Sequence, residues 1–166
     1  RSRRWRQHPS AGPGCPHVAR MLCHFDPFAL TNRGPTLVFE LASEALDKAL
    51  AVRSAAAWAP WEASVHLFAG LEELHDRDIV HRDIKPGNIL LFDQDLTKLA
   101  DLGVGVTKAN VIGGGTPPYV PGEVQRGQRG KPADVYAGGF TLLDMWASRT
   151  GGAVPFIGAG DWFRKC

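Results

Sequence analysis

Eight consecutive residues, His81-Arg82-Asp83-Ile84-Lys85-Pro86-Gly87-Asn88, place a carboxylate, an ammonium and a side-chain amide in one short stretch. Asp101-Leu102-Gly103 follows, 18 residues after Asp83. A two-strand hairpin between them would return Asp101 to the side of Asn88. That arrangement makes a cluster of hard oxygen ligands, the Asn88 amide carbonyl and the Asp101 carboxylate, next to a free carboxylate, Asp83. Mg²⁺ suits such a site, because it takes one or two protein oxygens and fills its other positions with phosphate oxygens and water. Asp83 would orient a hydroxyl and accept its proton. Lys85 would neutralise charge growing on a transferred phosphoryl group.

The elements around these residues must supply that hairpin. Ile89 to Phe92 is an apolar run, Asp93-Gln94-Asp95 makes a turn, and Thr97 to Ala100 returns as a strand. Upstream, His17 to Phe25 reads as a strand. Asn32-Arg33-Gly34-Pro35 signals a turn, and Thr36 to Leu41 reads as a short buried strand that closes a hairpin with the first. Ser43 is placed to cap a helix from Glu44 to about Arg53. Trp61 to His75 predicts a longer helix with Val65, Phe68, Leu71 and Leu74 facing a core. Residues 101–132 are rich in Gly and Pro and read as a long ordered loop, a length usually kept for function. Ala133 to Ser148 is a third helix, apolar on most sides and therefore central.

Composition narrows the function classes. The 166 residues are 44% hydrophobic and 22% charged, which excludes a disordered acidic chain or a low-complexity one. A chain of this size buries roughly 70% of its unfolded surface, enough for one domain with a real core. No stretch approaches the ~20 apolar residues of a membrane span. The net charge is +2, but five Arg and no acid fall within residues 1–25, so the body is mildly acidic. A basic arm of this kind is expected to be a solvated, disordered lead-in over residues 1–14; nucleic acid and membrane are not expected partners. Cys15, Cys23 and Cys166 are odd in number and widely spaced. They suggest neither a disulfide framework nor a zinc site and fit a reducing, cytoplasmic compartment.

HRDIKPGN followed by DLG resembles the catalytic core of eukaryotic protein kinases. Gly115-Thr116-Pro117-Pro118-Tyr119 is similar to the end of their activation segment, and Val120-Pro121-Gly122-Glu123 to its closing motif. Asp134 opens DVYAGGFTLLDMW as the buried aspartate of that family's central helix does. TLVFELA resembles the strand and hinge that hold adenine, and HVARMLCHF the strand before it. Lys85 in this setting resembles the serine/threonine branch.

The resemblance implies an α+β, protein-kinase-like fold that is partial: the hinge hairpin at the end of the small lobe, plus a mostly helical large lobe without its last helices, over residues 15–166. It implies a serine/threonine kinase that moves the ATP γ-phosphate to a protein substrate. Asp83, Lys85 and Thr116 would be catalytic, with Thr116 hydrogen-bonding Asp83 and Lys85. Asn88 and Asp101 would hold Mg²⁺. Phe39, Glu40, Ala42 and Leu90 would line the adenine site. It also makes His81 a packing residue, stacked with Met21 and Leu102 in a core spine. Arg82 becomes an anchor for the activation segment, and Thr107 a candidate phosphosite facing it.

The departures carry their own expectation. The family's Gly-rich loop, strand Lys and helix Glu have no counterpart here, since the first Lys is Lys48 and the first acid Asp26. Gly122 stands where the closing motif has Pro. The start lacks Met, so the chain is expected to be processed or a fragment, with little phosphotransferase activity alone and with apolar edges exposed. The alternative is a catalytically inactive kinase-like interaction module. Oligomeric state is left open.

Overall fold

The computed structural model describes residues 15–25, 36–52, 59–93, 95–102, 116–125 and 130–150. Its elements are β1 (Met21–Phe25), β2 (Thr36–Phe39), β3 (Glu44–Ala45), α1 (Leu46–Val52), α2 (Pro60–His75), a 3₁₀ turn (Pro86–Asn88), β4 (Ile89–Leu91), β5 (Thr97–Leu99), α3 (Gly122–Gln125) and α4 (Lys131–Thr150). β1 and β2 form an antiparallel ribbon, and β3, β4 and β5 a second small antiparallel sheet. Small sheets beside a larger helical part match the expected α+β, partial kinase-like architecture. Thr107 and residues 1–14 lie outside the described residues.

The hairpin that matters most is present. Ile89 pairs with Leu99, Leu90 with Lys98 and Leu91 with Thr97. Alternation explains its register: Ile89, Leu91, Thr97 and Leu99 are buried, while Leu90 and Lys98 between them are only partly so. One face therefore packs on α2, and the chain must reverse within Phe92–Leu96, closed by the Phe92 N–H to Leu96 O bond of 2.8 Å.

Several boundaries differ from the sequence expectation. The first strand begins at Met21 rather than His17. Residues 17–19 instead run beside β5, with Leu99 N–H donating to His17 O at 2.8 Å and Ala19 N–H to Leu99 O at 2.7 Å. Gly70 permits this, because a Cβ there would sit 2.7 Å from the His17 carbonyl oxygen. β2 is exposed at all four residues, not buried, since a two-stranded ribbon has no second layer over it among the described residues. Leu41 after it is 94% exposed.

The helix expected from Glu44 starts at Leu46, because Glu44 and Ala45 pair with Leu91 and Leu90. Ser43 does not cap it; its hydroxyl donates to Asp93 Oδ1 at 3.2 Å. Within the expected loop 101–132, residues 122–125 form a helical turn.

The core-facing stripe of α2 is Ala63, Ser64, Leu67, Gly70, Leu71 and Leu74, so Val65 and Phe68 are exposed against expectation. Small residues win that face because α4 lies close against it: Ser64 Oγ reaches Met145 Sδ at 3.9 Å. α4 is not buried on all sides, as an expectation of a central helix would have it. Val135, Leu143 and Trp146 are exposed, while Asp134, Thr141 and Asp144 are buried. The core joins Leu46, Leu67, Leu71, Ile84, Ile89, Leu99 and Met145, each with 2% exposure or less. Leu67→Ala is expected to cost about 2–5 kcal/mol in urea unfolding, the transfer loss plus a cavity that α2 and α4 cannot close.

Candidate active site

The loop from His81 to Asn88 is shaped by its own residues. Arg82 takes a positive φ of 72°, which costs a non-glycine residue about 1–2 kcal/mol and is found where surrounding contacts enforce it. The enforcing contact is Asp134 at the start of α4. This carboxylate is 1% exposed. It accepts from the backbone N–H groups of His81 and Arg82, both at 2.8 Å, and pairs with His75 Nε2 at 2.9 Å. His81 itself is fully buried, as expected of a packing residue, and its Nε2 lies 2.9 Å from Ala100 O. Pro86, with its preset φ, opens the 3₁₀ turn, and Asn88 N–H closes it on Lys85 O at 3.0 Å.

That turn gathers the polar side chains. Lys85 Nζ donates to Asp83 Oδ2 at 2.7 Å and to Thr116 Oγ1 at 2.9 Å. Thr116 Oγ1 donates to Asp83 Oδ1 at 3.0 Å. Asn88 Nδ2 donates to Asp83 O at 2.8 Å and to Asp83 Oδ2 at 3.0 Å. The structure thus brings together Asp83, Lys85, Asn88 and Thr116, the last from 31 residues beyond Lys85.

Asp101 is delivered by the hairpin. Past the Ile89–Leu99 pair, Ala100 N–H donates to Asn88 O at 2.9 Å, so Asp101 is the next residue along. Its φ of 61° turns the chain at that point, and its side chain is exposed.

Electrostatics follow from these bonds. Burial alone would raise the Asp83 pKa, but hydrogen bonds from Lys85, Thr116 and Asn88 and the Lys85 charge outweigh it and hold the carboxyl below its usual value. A depressed pKa means stability that is present above the unfolded value, about 3.9, and lost as pH falls through the lower folded value. Carboxyl ¹³C titration of the folded protein is expected to place Asp83 below the ordinary range. In Lys85→Met the midpoint moves up, because burial then has less opposing it. An unchanged midpoint would contradict the ion pair.

The residues expected at the adenine site lie on the strands above. Phe39 ends β2 at 45% exposure, and Ala42 is half-buried on the way to β3. Leu90 sits in β4 between Ala45 and Lys98. Glu40 has a tie the sequence did not suggest: its Oε1 accepts from Arg20 N–H at 2.8 Å and Lys98 Nζ at 2.7 Å. Burial works against its charge, and these donors outweigh burial, lowering its pKa. Two further contacts escaped sequence reasoning, the grip of Asp134 on the loop backbone and a Tyr119–Asp144 bond of 2.6 Å. Among the described residues Cys15 and Cys23 are free thiols, and no three His, Cys, Asp or Glu side chains form a metal cluster by themselves.

Comparison with known proteins bears on this geometry. Residues 15–156 match the family model for the protein kinase domain. The chain belongs to the protein kinase family. This kinase chain is 36% identical over 104 residues to the serine/threonine-protein kinase chk-1 of Caenorhabditis elegans, a match covering 57% of this chain and 20% of that protein. It is 37% identical over 121 residues to the serine/threonine-protein kinase STK11 of Rattus norvegicus, covering 60% and 27% respectively. A third relative, the membrane-associated tyrosine- and threonine-specific cdc2-inhibitory kinase of Drosophila melanogaster, is 37% identical over 90 residues, covering 51% and 17%. The matched part of the kinase chain therefore spans only about a sixth to a quarter of these relatives' length.

Proposed function

We propose that the full-length protein carrying this kinase domain transfers the γ-phosphoryl group of ATP to a serine or threonine hydroxyl of a protein substrate. The observation that carries this reading is the three-way hold on Asp83 by Lys85, Thr116 and Asn88, one residue-pair away from Asp101.

Counting lone pairs and protons assigns the roles. A carboxylate has about four acceptor positions. Oδ2 of Asp83 accepts from both Lys85 and Asn88, whereas Oδ1 accepts from Thr116 alone among the described residues. Oδ1 therefore keeps a position for a substrate hydroxyl, which Asp83 orients and whose proton it takes as the new P–O bond forms. Asp83 stays ionised at neutral pH, so its first task is orientation. Lys85 has three donors and spends two, on Asp83 and Thr116, leaving one for a phosphoryl oxygen.

Mg²⁺ fits the same chain. Asn88 spends its amide nitrogen on Asp83, which leaves its carbonyl oxygen as the ligating atom, with the Asp101 carboxylate as the second. Both are hard oxygen donors, and nucleotide oxygens and water complete such a shell. When bound, the ion would neutralise charge on the β- and γ-phosphates. Phe39, the backbone of Glu40 and Ala42, and Leu90 would take adenine. Among the described residues no helix is long and apolar enough to cross a membrane; we place the protein in the cytoplasm, where ATP and thiols such as Cys15 and Cys23 coexist.

The test is transfer of labelled γ-phosphate by the full-length protein to peptides that differ only in Ser, Thr or Tyr. Label on Ser or Thr with Tyr unlabelled is the expected result. Label on Tyr alone would overturn the residue class. Mg-ATP binding without transfer to any peptide would favour the interaction-module reading.

A further inference from the structure

Two imidazoles meet where residues 17–19 and β5 lie on α2. The rings of His17 and His66 stack with centroids 4.9 Å apart and planes 25° apart. His66 belongs to α2, and its Nδ1 accepts the Thr97 N–H of β5 at 3.3 Å. His17 is fixed by Glu73. That carboxylate takes the His17 backbone N–H at 3.1 Å on Oε2, and its Oε1 lies 2.6 Å from the ring Nδ1. The His17 carbonyl then accepts Leu99 N–H at 2.8 Å. The two histidines thus hold β5 at its two ends, Thr97 and Leu99. Beyond Leu99 the strand leads to Asp101, with Ala100 N–H on Asn88 O at 2.9 Å.

We propose that this stacked pair is a proton-operated clasp on β5: a proton on His66 releases Thr97, loosens residues 17–19 on the strand, and slackens the lead to Asp101.

A neutral imidazole has one donor and one acceptor nitrogen, whereas the charged ring has two donors and no acceptor. Nδ1 is the acceptor here, so the proton that charges His66 arrives at the atom Thr97 N–H points to. Thr97 is 2% exposed, and its N–H would face a donor with little water to turn to. The new charge would also lie against a second imidazole at stacking distance.

The surroundings set the direction of the response. Burial opposes a charge on His66 and the charge of His17 adds to this, while Glu62 on α2 and the Asp95 carbonyl favour it; the first two prevail and lower the His66 pKa. Glu73 is engaged with His17, and Arg77 donates to the Glu73 carbonyl oxygen at 2.6 Å. Lys98, the charged residue of β5, is turned to Glu40. Burial raises the pKa of the Cys15 thiol, against the charge of Arg77 and with that of Glu73, so Cys15 adds no charge near neutral pH. A histidine whose folded pKa is lowered is held neutral by the fold. Its contribution is complete above the unfolded value, about 6.5, and is lost as pH falls through the lower folded value.

Amide hydrogen exchange of the full-length protein between about pH 7.5 and pH 5, the range over which histidine charges, tests the clasp. With intrinsic rates divided out, protection at Thr97 should fall roughly 10-fold on acidification, the scale of a buried donor losing its acceptor. Leu99 and Ala19 should follow, and the midpoint should coincide with the NMR titration of the His66 ring. His66→Asn sets an amide oxygen near the place of Nδ1 and does not titrate, so Thr97 protection should be equal at both ends of the range. His66→Phe keeps the stack without the acceptor, and Thr97 should be poorly protected at every pH. Should that variant fail to fold, His66→Asn and the wild-type midpoint still decide.

The clasp is overturned if Thr97 protection stays flat while His66 titrates, or if His66→Asn loses protection on acidification as wild type does. Its reach to the site rests on the phosphoryl-transfer reading: kcat of wild type should fall several-fold further than that of His66→Asn over the same range, since misplacement near a reacting group slows transfer. An equal fall would overturn the link to Asp101. With no transfer at any pH, the phosphoryl-transfer reading fails by itself and exchange at Thr97 still decides the clasp.

Discussion

Asp83→Asn is expected to lower kcat for peptide phosphorylation by the full-length protein about 10³-fold, within the ~10²–10⁴ that a positioned acid or base contributes. The amide nearly preserves shape, so the loop should stay folded. What changes is chemistry at two atoms. An amide does not take the substrate proton, and its nitrogen would face either Lys85 Nζ, donor against donor, or Thr116 Oγ1, whose hydroxyl must then turn to accept. Binding of ATP should change little, because the adenine-side residues are on other strands. Single-turnover kinetics separate the two effects. A variant retaining more than about a tenth of the wild-type rate would show that Asp83 is not at the reacting hydroxyl.

Asp134→Ala is expected to be the most damaging stability change, at about 3–5 kcal/mol in urea unfolding. The side chain is 1% exposed and serves three donors. Truncation leaves the His81 and Arg82 N–H groups without it in a place water does not readily reach, and frees a residue held at a φ of 72°. The loop carrying Asp83 then loses its anchor to α4. Activity should fall with stability, and hydrogen exchange at His81 and Arg82 should accelerate first. A loss under 1 kcal/mol would mean the two N–H groups find other partners.

The chemistry of this chain is written locally, which is why so much of the site can be read from its residues. Within HRDIKPGN, Lys85 and Asn88 both bond Asp83, and the hairpin from Ile89 to Leu99 is set by alternation and a short acidic turn. The position of Asp101 follows from that register. The hydrogen bonds of Thr116 to Asp83 and Lys85, expected from a resemblance rather than from spacing, are present.

What was not legible depends on contacts between distant segments. Val65 and Phe68 fit the helical period as well as Leu67 does, and only the close approach of α4 selects the small-residue stripe instead. β2 carries the residues of a buried strand, yet a strand is buried only by a second layer, and its own sequence does not encode one. Asp144 and Tyr119 are 25 residues apart with no periodic relation, so their bond has no sequence signature. Glu40 reads as a residue of the adenine site, and nothing around it in the sequence announces the side-chain bond from Lys98 of the other sheet.

The central claim is that Asn88 and Asp101 share one metal-bound nucleotide beside Asp83. ATP binding to the full chain, titrated calorimetrically with Mg²⁺ and again with EDTA, tests it most directly when wild type is compared with Asp101→Asn. The account predicts at least ~10-fold weaker binding of the variant in Mg²⁺, since even a change in the outer shell of a metal usually costs that much, and equal affinities in EDTA. Equal affinities in Mg²⁺ would contradict it.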